Sequence, residues 1–279
     1  MDLRPIGVFD SGSGGLTAVR EIRSILPSEN IIYFGDTSRV PYGSRSAEIL
    51  LRFARQDIRF LRTFDIKALL VACGTVSTTS LPQLQAESAD LPLLGVVEPS
   101  CRRAVAVTRN KRVGLIATAA SVRSGAYERT IAGLDRDVTV ISKACPLFVP
   151  LVENGYFGAD NAVTRLVARD YLKDIRAAGV DTLILGCTHY PLIAPIIADL
   201  MGPEVALIDP GRETALAARD ALASAGLLRE GRAGTARYYV SDTTESFAQL
   251  SDWFLGEYAG GPVTRISVDG YPVEQGAST

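Results

Sequence analysis

A chain of 279 residues with 29 Lys and Arg against 31 Asp and Glu has a formal net charge of −2, which gives it no general attraction for nucleic acid or an anionic membrane. Its 47% hydrophobic and 22% charged residues exclude a disordered or fibrous chain and leave room for one large domain or two small ones. No apolar run nears the length of a membrane span, and the first residues lead into a strand pattern rather than a cleavable leader, so a soluble, cytoplasmic protein is expected.

Strands are predicted, in chain order, at IGVFD (6–10), IIYFG (31–35), KALLVA (67–72), LLGVV (93–97), RVGLIA (112–117), VTVIS (138–142), DTLILG (181–186) and VALID (205–209). ARYYVS (236–241) and VTRISV (263–268) are less apolar and read as edge strands. Between the strands, Leu50, Phe53, Phe60, Leu61 and Phe64 recur at helical spacing, as do Leu166, Val167, Tyr171, Leu172 and Ile175. Continuously apolar strands followed by helices predict an α/β fold with mainly parallel sheets covered on both faces.

The chain also echoes itself. KALLVACGTVSTTSLPQL and DTLILGCTHYPLIAPII share an order of apolar strand, cysteine, small or hydroxyl residue and helix, with cysteines 114 residues apart. IGVFDSGSGG and VGLIATAASVRSG, beginning at 6 and 113, repeat a strand and a hydroxyl-rich turn at a similar offset. Two echoes at like spacing predict two similar half-domains, one over 98–206 and one built from 1–97 plus 207–279. If such halves are related by a pseudo-twofold axis, their strand ends meet in a cleft, where ligands of open α/β sheets bind.

The first candidate motif is DSGSGG, Asp10 to Gly15. It fits neither the dinucleotide fingerprint, whose third glycine would fall on Thr17, nor the phosphate loop, because no Gly-Lys-Ser/Thr follows. Two readings stay open: backbone N–H groups that hold an anion, or a tight turn in which Asp10 or Ser11 caps a helix.

Four cysteines, 73, 101, 145 and 187, lack the spacing of a metal knuckle and, in a chain of this size, do not suggest a disulfide framework. Cys73 and Cys187 each end an apolar strand and precede a helix, a setting in which a thiol meets a positive local potential. Cys101 and Cys145 read as structural. His189, the only histidine, has no second histidine with which to bind a metal; a satisfied core residue and a proton partner for Cys187 remain. Pro191 fits the first turn of the helix that follows. VPYGSRS is expected to expose backbone N–H groups and the Tyr42 hydroxyl, although an ordinary loop with a Ser44 or Ser46 cap explains it equally. Glu153 stands among apolar residues in FVPLVENGYF, where a carboxyl could have a raised pKa or simply pair at the surface.

Together, IGVFDSGSGGLT, VPYGSRS, VACGTVS, FVPLVENG and LGCTHYPL resemble the glutamate racemases of the cofactor-independent Asp/Glu racemase superfamily, in order and spacing from about residue 6 to 211. CTHYP is the most distinctive, since aspartate racemases tend to carry Cys-Thr-Glu there. The resemblance implies interconversion of L- and D-glutamate by two thiols on opposite faces of the substrate, supplying D-glutamate for peptidoglycan and the cell wall. It implies no cofactor, no metal and a homodimer. Cys73 would serve the D form and Cys187 the L form, with Asp10 beside the first and Glu153 and His189 beside the second. Ser11, Pro41, Tyr42, Gly43, Gly74, Thr75 and Thr188 match substrate-contacting positions. Thr118 and Ser121 match a hydroxyl pair that holds a carboxylate, with serine at 121 where threonine is usual.

One departure concerns the first cysteine, where Gly74 replaces the usual Asn of Cys-Asn-Thr and removes an amide that would meet polar substrate atoms. The N-terminal extension that some members use for regulation by a peptidoglycan precursor is expected to be absent. A racemase of another acidic amino acid such as aspartate, or a non-catalytic binding protein on the same fold, are the competing readings. Retention of both cysteines with Asp10, Glu153 and His189 argues against the latter.

Overall fold

The computed structural model describes residues 2–271. Among these residues, ten strands run in chain order: β1 (Ile6–Asp10), β2 (Ile31–Gly35), β3 (Ala68–Val71), β4 (Leu93–Gly95), β5 (Arg112–Ala117), β6 (Thr139–Ala144), β7 (Thr182–Gly186), β8 (Ala206–Ile208), β9 (Ala236–Val240) and β10 (Val263–Arg265). They form a six-stranded sheet ordered β10-β9-β2-β1-β3-β4 and a four-stranded sheet ordered β6-β5-β7-β8. Every pairing is parallel. The α/β architecture with two parallel sheets is therefore as the sequence predicts.

The two sheets also repeat one arrangement. The run β2-β1-β3-β4 has the order of β6-β5-β7-β8, so β1 corresponds to β5 and β3 to β7. These are the pairs of segments whose sequences echo one another.

The strands are apolar throughout because both faces are covered. On β1, Ile6 and Val8 pack with Leu16, Val19 and Ile22 of the helix Leu16–Ile25, while Phe9 points to the other face and packs with Phe34, Leu50 and Ile58. On β7, Leu183 and Leu185 pack with Leu172 and Ile175, and Ile184 turns to the opposite side with Tyr127 and Ile131.

Some boundaries differ from expectation. Val97, read as strand, opens the helix Val97–Val107, whereas β6 extends to Ala144. Of the two supposed edge strands, only β10 is one; β9 lies inside the sheet between β2 and β10, and its less apolar side is half exposed at Tyr239. Leu166, one of the apolar residues at helical spacing, is 67% exposed on the helix Ala162–Ala177. Pro191 opens a single 3-10 turn, Tyr190–Ile193, before the helix Ala194–Met201. Among the described residues, no helix is long and apolar enough to cross a membrane.

Candidate active site

The first strand ends on Asp10, whose carboxylate turns back into its own loop. Oδ2 accepts from the backbone N–H of Gly12 at 3.1 Å and of Gly15 at 2.9 Å. Two of the turn's amides are thus occupied by Asp10 itself, which favours the tight-turn reading over an anion cradle. Neither Asp10 nor Ser11 caps the helix Leu16–Ile25, whose N-cap is Gly15. Oδ1 of Asp10 is buried and has no partner among the described residues, and burial raises the carboxyl's pKa. Tyr33 on β2 braces the same turn, donating to the Gly12 carbonyl at 2.6 Å.

Beside it, β3 leads to Cys73, the N-cap of the helix Gly74–Thr79. The thiol is buried and contacts Ser11 Oγ at 3.5 Å. Burial, reinforced by the Asp10 charge, pushes its pKa up to about 12. The helix end thus does not outweigh desolvation at this sulfur.

At the corresponding place in the second sheet, β7 leads to Cys187. Its Sγ lies 3.9 Å from His189 Nδ1, and His189 Nε2 lies 2.9 Å from Glu153 Oε1. Burial alone would lower the pKa of His189, but the hydrogen bonds to Cys187 and Glu153 outweigh it and raise the value to about 10. Of the two readings of Glu153, pairing at the surface is the one observed: at the end of the helix Phe148–Glu153, its side chain is 38% exposed and meets His189. The apolar residues of that segment, Phe148 and Val152, turn inward instead.

Both thiols line one cavity of about 530 Å³. Asp10, Ser11, Pro41, Tyr42, Gly43, Gly74, Thr75, Thr118, Glu153, Thr188 and His189 line it too, so all but one of the sequence candidates converge here. The exception is Ser121, which is buried behind Thr118 and receives its hydroxyl at 3.0 Å. A hydroxyl chain then crosses the cleft, with Thr75 and Thr118 at 3.1 Å and Thr78 and Ser121 at 3.3 Å. Tyr42 departs from expectation, because its hydroxyl is not exposed but bonded to buried Asp36.

Two features of the wall escaped the sequence reading. Cys145, with Pro146, Val149 and Pro150, supplies an apolar side to the cavity. Tyr190 packs edge-on against Phe148 and donates to the Cys145 carbonyl at 3.1 Å, which fixes that side from behind. Nothing in the sequence alone marks this role of Tyr190. Among the described residues no Lys or Arg lines the cavity, and Lys67, in a strand context, is buried against Glu29 at 2.6 Å. Among the described residues no cluster of His, Cys, Asp and Glu is arranged to hold a metal ion.

This geometry can be set beside known proteins. The Asp/Glu/Hydantoin racemase family model matches residues 17–218. A glutamate racemase of Geobacter metallireducens is 48% identical over 270 residues, covering 96% of this chain and 98% of the relative. The chain belongs to the Asp/Glu/hydantoin racemase family. Among solved structures, a glutamate racemase isoform of Bacillus anthracis matches with a TM-score of 0.91 and 36% identity, over 96% of this chain and 98% of that one. The Francisella tularensis glutamate racemase, solved with D-glutamate, matches with a TM-score of 0.89 and 36% identity, over 97% and 100% of the two chains. Members of this racemase family with such close likeness identify the protein as an isomerase.

Proposed function

We propose that this racemase interconverts L- and D-glutamate by moving the α-proton between two thiols. One observation carries the reading: Cys73 and Cys187 end corresponding strands of two like-ordered sheets and line one cavity. Racemisation needs a base on one face of Cα and an acid on the other, exchanging roles in reverse, and two matched sulfurs supply both.

In the L-to-D direction, the Cys187 thiolate takes the α-proton, so that the Cα–H bond breaks and an S–H bond forms. The Cys73 thiol then gives its own proton to the opposite face. A Cys73 that holds its proton, with its pKa near 12, suits this direction. His189, oriented by Glu153, exchanges a proton with Cys187; Asp10 does so beside Cys73. The Asp10 Oδ1 atom, lacking a partner among the described residues, is available to the substrate ammonium or to the thiol proton.

With no Lys or Arg among the described residues lining the cavity, the substrate carboxylates must be held by hydroxyls and backbone N–H groups. Ser11, Thr75, Thr118 and Thr188 are the side chains for this, with Ser121 orienting Thr118 and Pro41, Tyr42, Gly43 and Gly74 shaping the wall. Such neutral donors also stabilise negative charge developing at the α-carboxylate.

The reading includes two half-domains, 1–97 plus 207–279 and 98–206. It also includes a cytoplasmic homodimer that supplies D-glutamate for peptidoglycan, which rests on family likeness.

The test is incubation with L-glutamate in D₂O without added cofactor, following α-deuteration and optical rotation. Cys73→Ala and Cys187→Ala should each abolish net racemisation, with losses of at least ~10³-fold. Deuterium exchange that survives both substitutions would overturn the two-thiol mechanism. The same assay with L-aspartate decides between the substrates.

A further inference from the structure

The loop 40–44 forms one wall of the cavity and reaches across the cleft, because a Cβ on Gly43 would lie 3.5 Å from Thr118 Cβ. What holds this loop is a buried polar cluster outside the cavity wall. Asp36, just beyond β2, and Asp57, on the helix Ala47–Arg62, have wholly buried side chains. Arg39 bridges them, with Nε donating to Asp36 Oδ2 at 2.5 Å and Nη2 donating to Asp57 Oδ1 at 2.7 Å. Its guanidinium lies over the Phe53 ring at 4.1 Å and also donates to Gln56 at 2.6 Å. Ser241, past the end of β9, donates to Asp36 Oδ1 at 2.8 Å. Tyr42 is therefore tied to two strand ends and a helix at once.

Counting protons exposes an imbalance. Tyr42 Oη lies within reach of Asp36 Oδ2 and, at 3.3 Å, of Asp57 Oδ2. A phenol has one proton to donate, and the shorter contact, to Asp36, takes it. The contact with Asp57 is then a hydrogen bond only if Asp57 carries a proton of its own and donates it to the phenol oxygen. The charges agree: one guanidinium with two buried carboxylates leaves a negative excess, which a single proton cancels. Burial, and then the neighbouring Asp36, push the Asp57 carboxyl well above the ordinary carboxylate range. The titratable groups facing Asp57 are Asp36, Arg39 and Tyr42, and burial holds the Tyr42 phenol in its neutral form.

We infer that Asp57, acting with Asp36 and Arg39, is a positioning residue for the cavity: its proton closes a clamp on Tyr42, and loss of that proton frees the 40–44 wall. The effect on catalysis rests on the glutamate racemase reading; the clamp itself does not. The sign follows from linkage. A carboxyl protonated in the folded state and ionised in the unfolded one contributes stability that falls as pH rises through the window between the two values. The clamp therefore loosens on the alkaline side.

The experiment compares the full-length protein with Asp57→Asn and Asp57→Ala over a pH series from about 5 to about 10. Amide hydrogen exchange across residues 36–45 is measured alongside kcat and KM for L-glutamate. Asparagine copies the protonated acid, since its amide N–H can donate to Tyr42 while its oxygen accepts from Arg39. In the wild type, protection of this segment should fall at high pH by more than base-catalysed exchange accounts for, and KM should rise at least about fivefold with a smaller change in kcat. Asp57→Asn should hold both steady, whereas Asp57→Ala should raise KM about tenfold near neutral pH. Any alkaline loss originating at His189 is common to wild type and Asp57→Asn, so their difference isolates Asp57. Identical exchange profiles for wild type and Asp57→Asn would overturn the clamp, and this comparison stands even if Asp57→Ala does not fold. Since exchange is read without substrate, a failure of the clamp is distinguishable from a failure of the racemase reading.

Discussion

His189 is held between two partners of unlike chemistry, with Nε2 at 2.9 Å from the Glu153 carboxylate and Nδ1 at 3.9 Å from the Cys187 sulfur. Both partners favour the charged ring, and together they outweigh a burial that alone would favour the neutral one. Because the chain has a single histidine, its titration can be followed without assignment. The imidazole resonance in an NMR pH series should titrate near 10 rather than near 6.5. Glu153→Gln should lower that midpoint by about one unit or more, as removal of a neighbouring charge does. It should also reduce kcat about tenfold, because the ring loses the carboxylate that orients it beside Cys187. An unchanged midpoint in Glu153→Gln would show that the ion pair does not set the state of His189.

The same ring contributes to stability with a definite sign. A base whose folded pKa is raised to about 10 from 6.5 contributes stability that is fully present below about 6.5 and is lost as pH rises through about 10. Urea midpoints of the wild type should therefore decline across that window. His189→Asn should flatten that part of the profile and cost roughly a few kcal/mol at the acidic end, less whatever the half-exposed Glu153 loses to solvent screening. A decline of equal slope in His189→Asn would assign the effect to other groups.

Much of this architecture can be read from the sequence because its cause is local. Continuous apolar runs such as LLV within β3 and LIL within β7 announce buried parallel strands, and the two echoes anticipate that β1-β3 and β5-β7 occupy like places. Cys73, Cys187 and His189 are legible because they follow strand ends, where the periodicity stops. What stays hidden depends on contacts between distant segments. Nothing in VPYGSRS indicates that the Tyr42 hydroxyl turns away to Asp36, which lies six residues earlier and is fixed by Ser241 from the far end of the chain. Nor does FVPLVENG reveal that Glu153 stands at the surface, since that depends on which side the helix Phe148–Glu153 turns inward. β9 is not the edge its composition suggests, because its place in the sheet is decided by β10, which comes later and covers it.

Gly14 supports the second cysteine's neighbours from the opposite half of the molecule. A Cβ there would fall 2.4 Å from Thr188 Oγ1 and 2.5 Å from the His189 ring. His189 cannot swing aside freely, because Glu153 holds its far nitrogen. Gly14→Ala should therefore cost about 1–3 kcal/mol in urea unfolding, as overpacking does. It should also lower kcat/KM at least about tenfold through displacement of the reacting groups. Full activity in a variant destabilised by that amount would show that the ring is not positioned from this side.

Gly74 presents the converse case, in which a departure from the family pattern is met by backbone. A Cβ at this position would approach the carbonyl oxygen of Gly186 to 2.8 Å, and Gly186 is the residue before Cys187. Any side chain at 74, including the family's usual Asn, thus pushes on the end of β7 and shifts one catalytic candidate relative to the other. Gly74→Ala tests the steric part alone and should cost about 1–3 kcal/mol, with kcat reduced about tenfold. Gly74→Asn adds an amide that can meet the substrate, so its KM should differ from that of Gly74→Ala while kcat falls similarly. Kinetics with both enantiomers of glutamate separate the two effects, since displacement of Cys187 acts on kcat in either direction and the amide acts on KM. If Gly74→Asn leaves kcat and KM unchanged for both enantiomers, the Gly186 backbone yields without cost and position 74 does not shape the site.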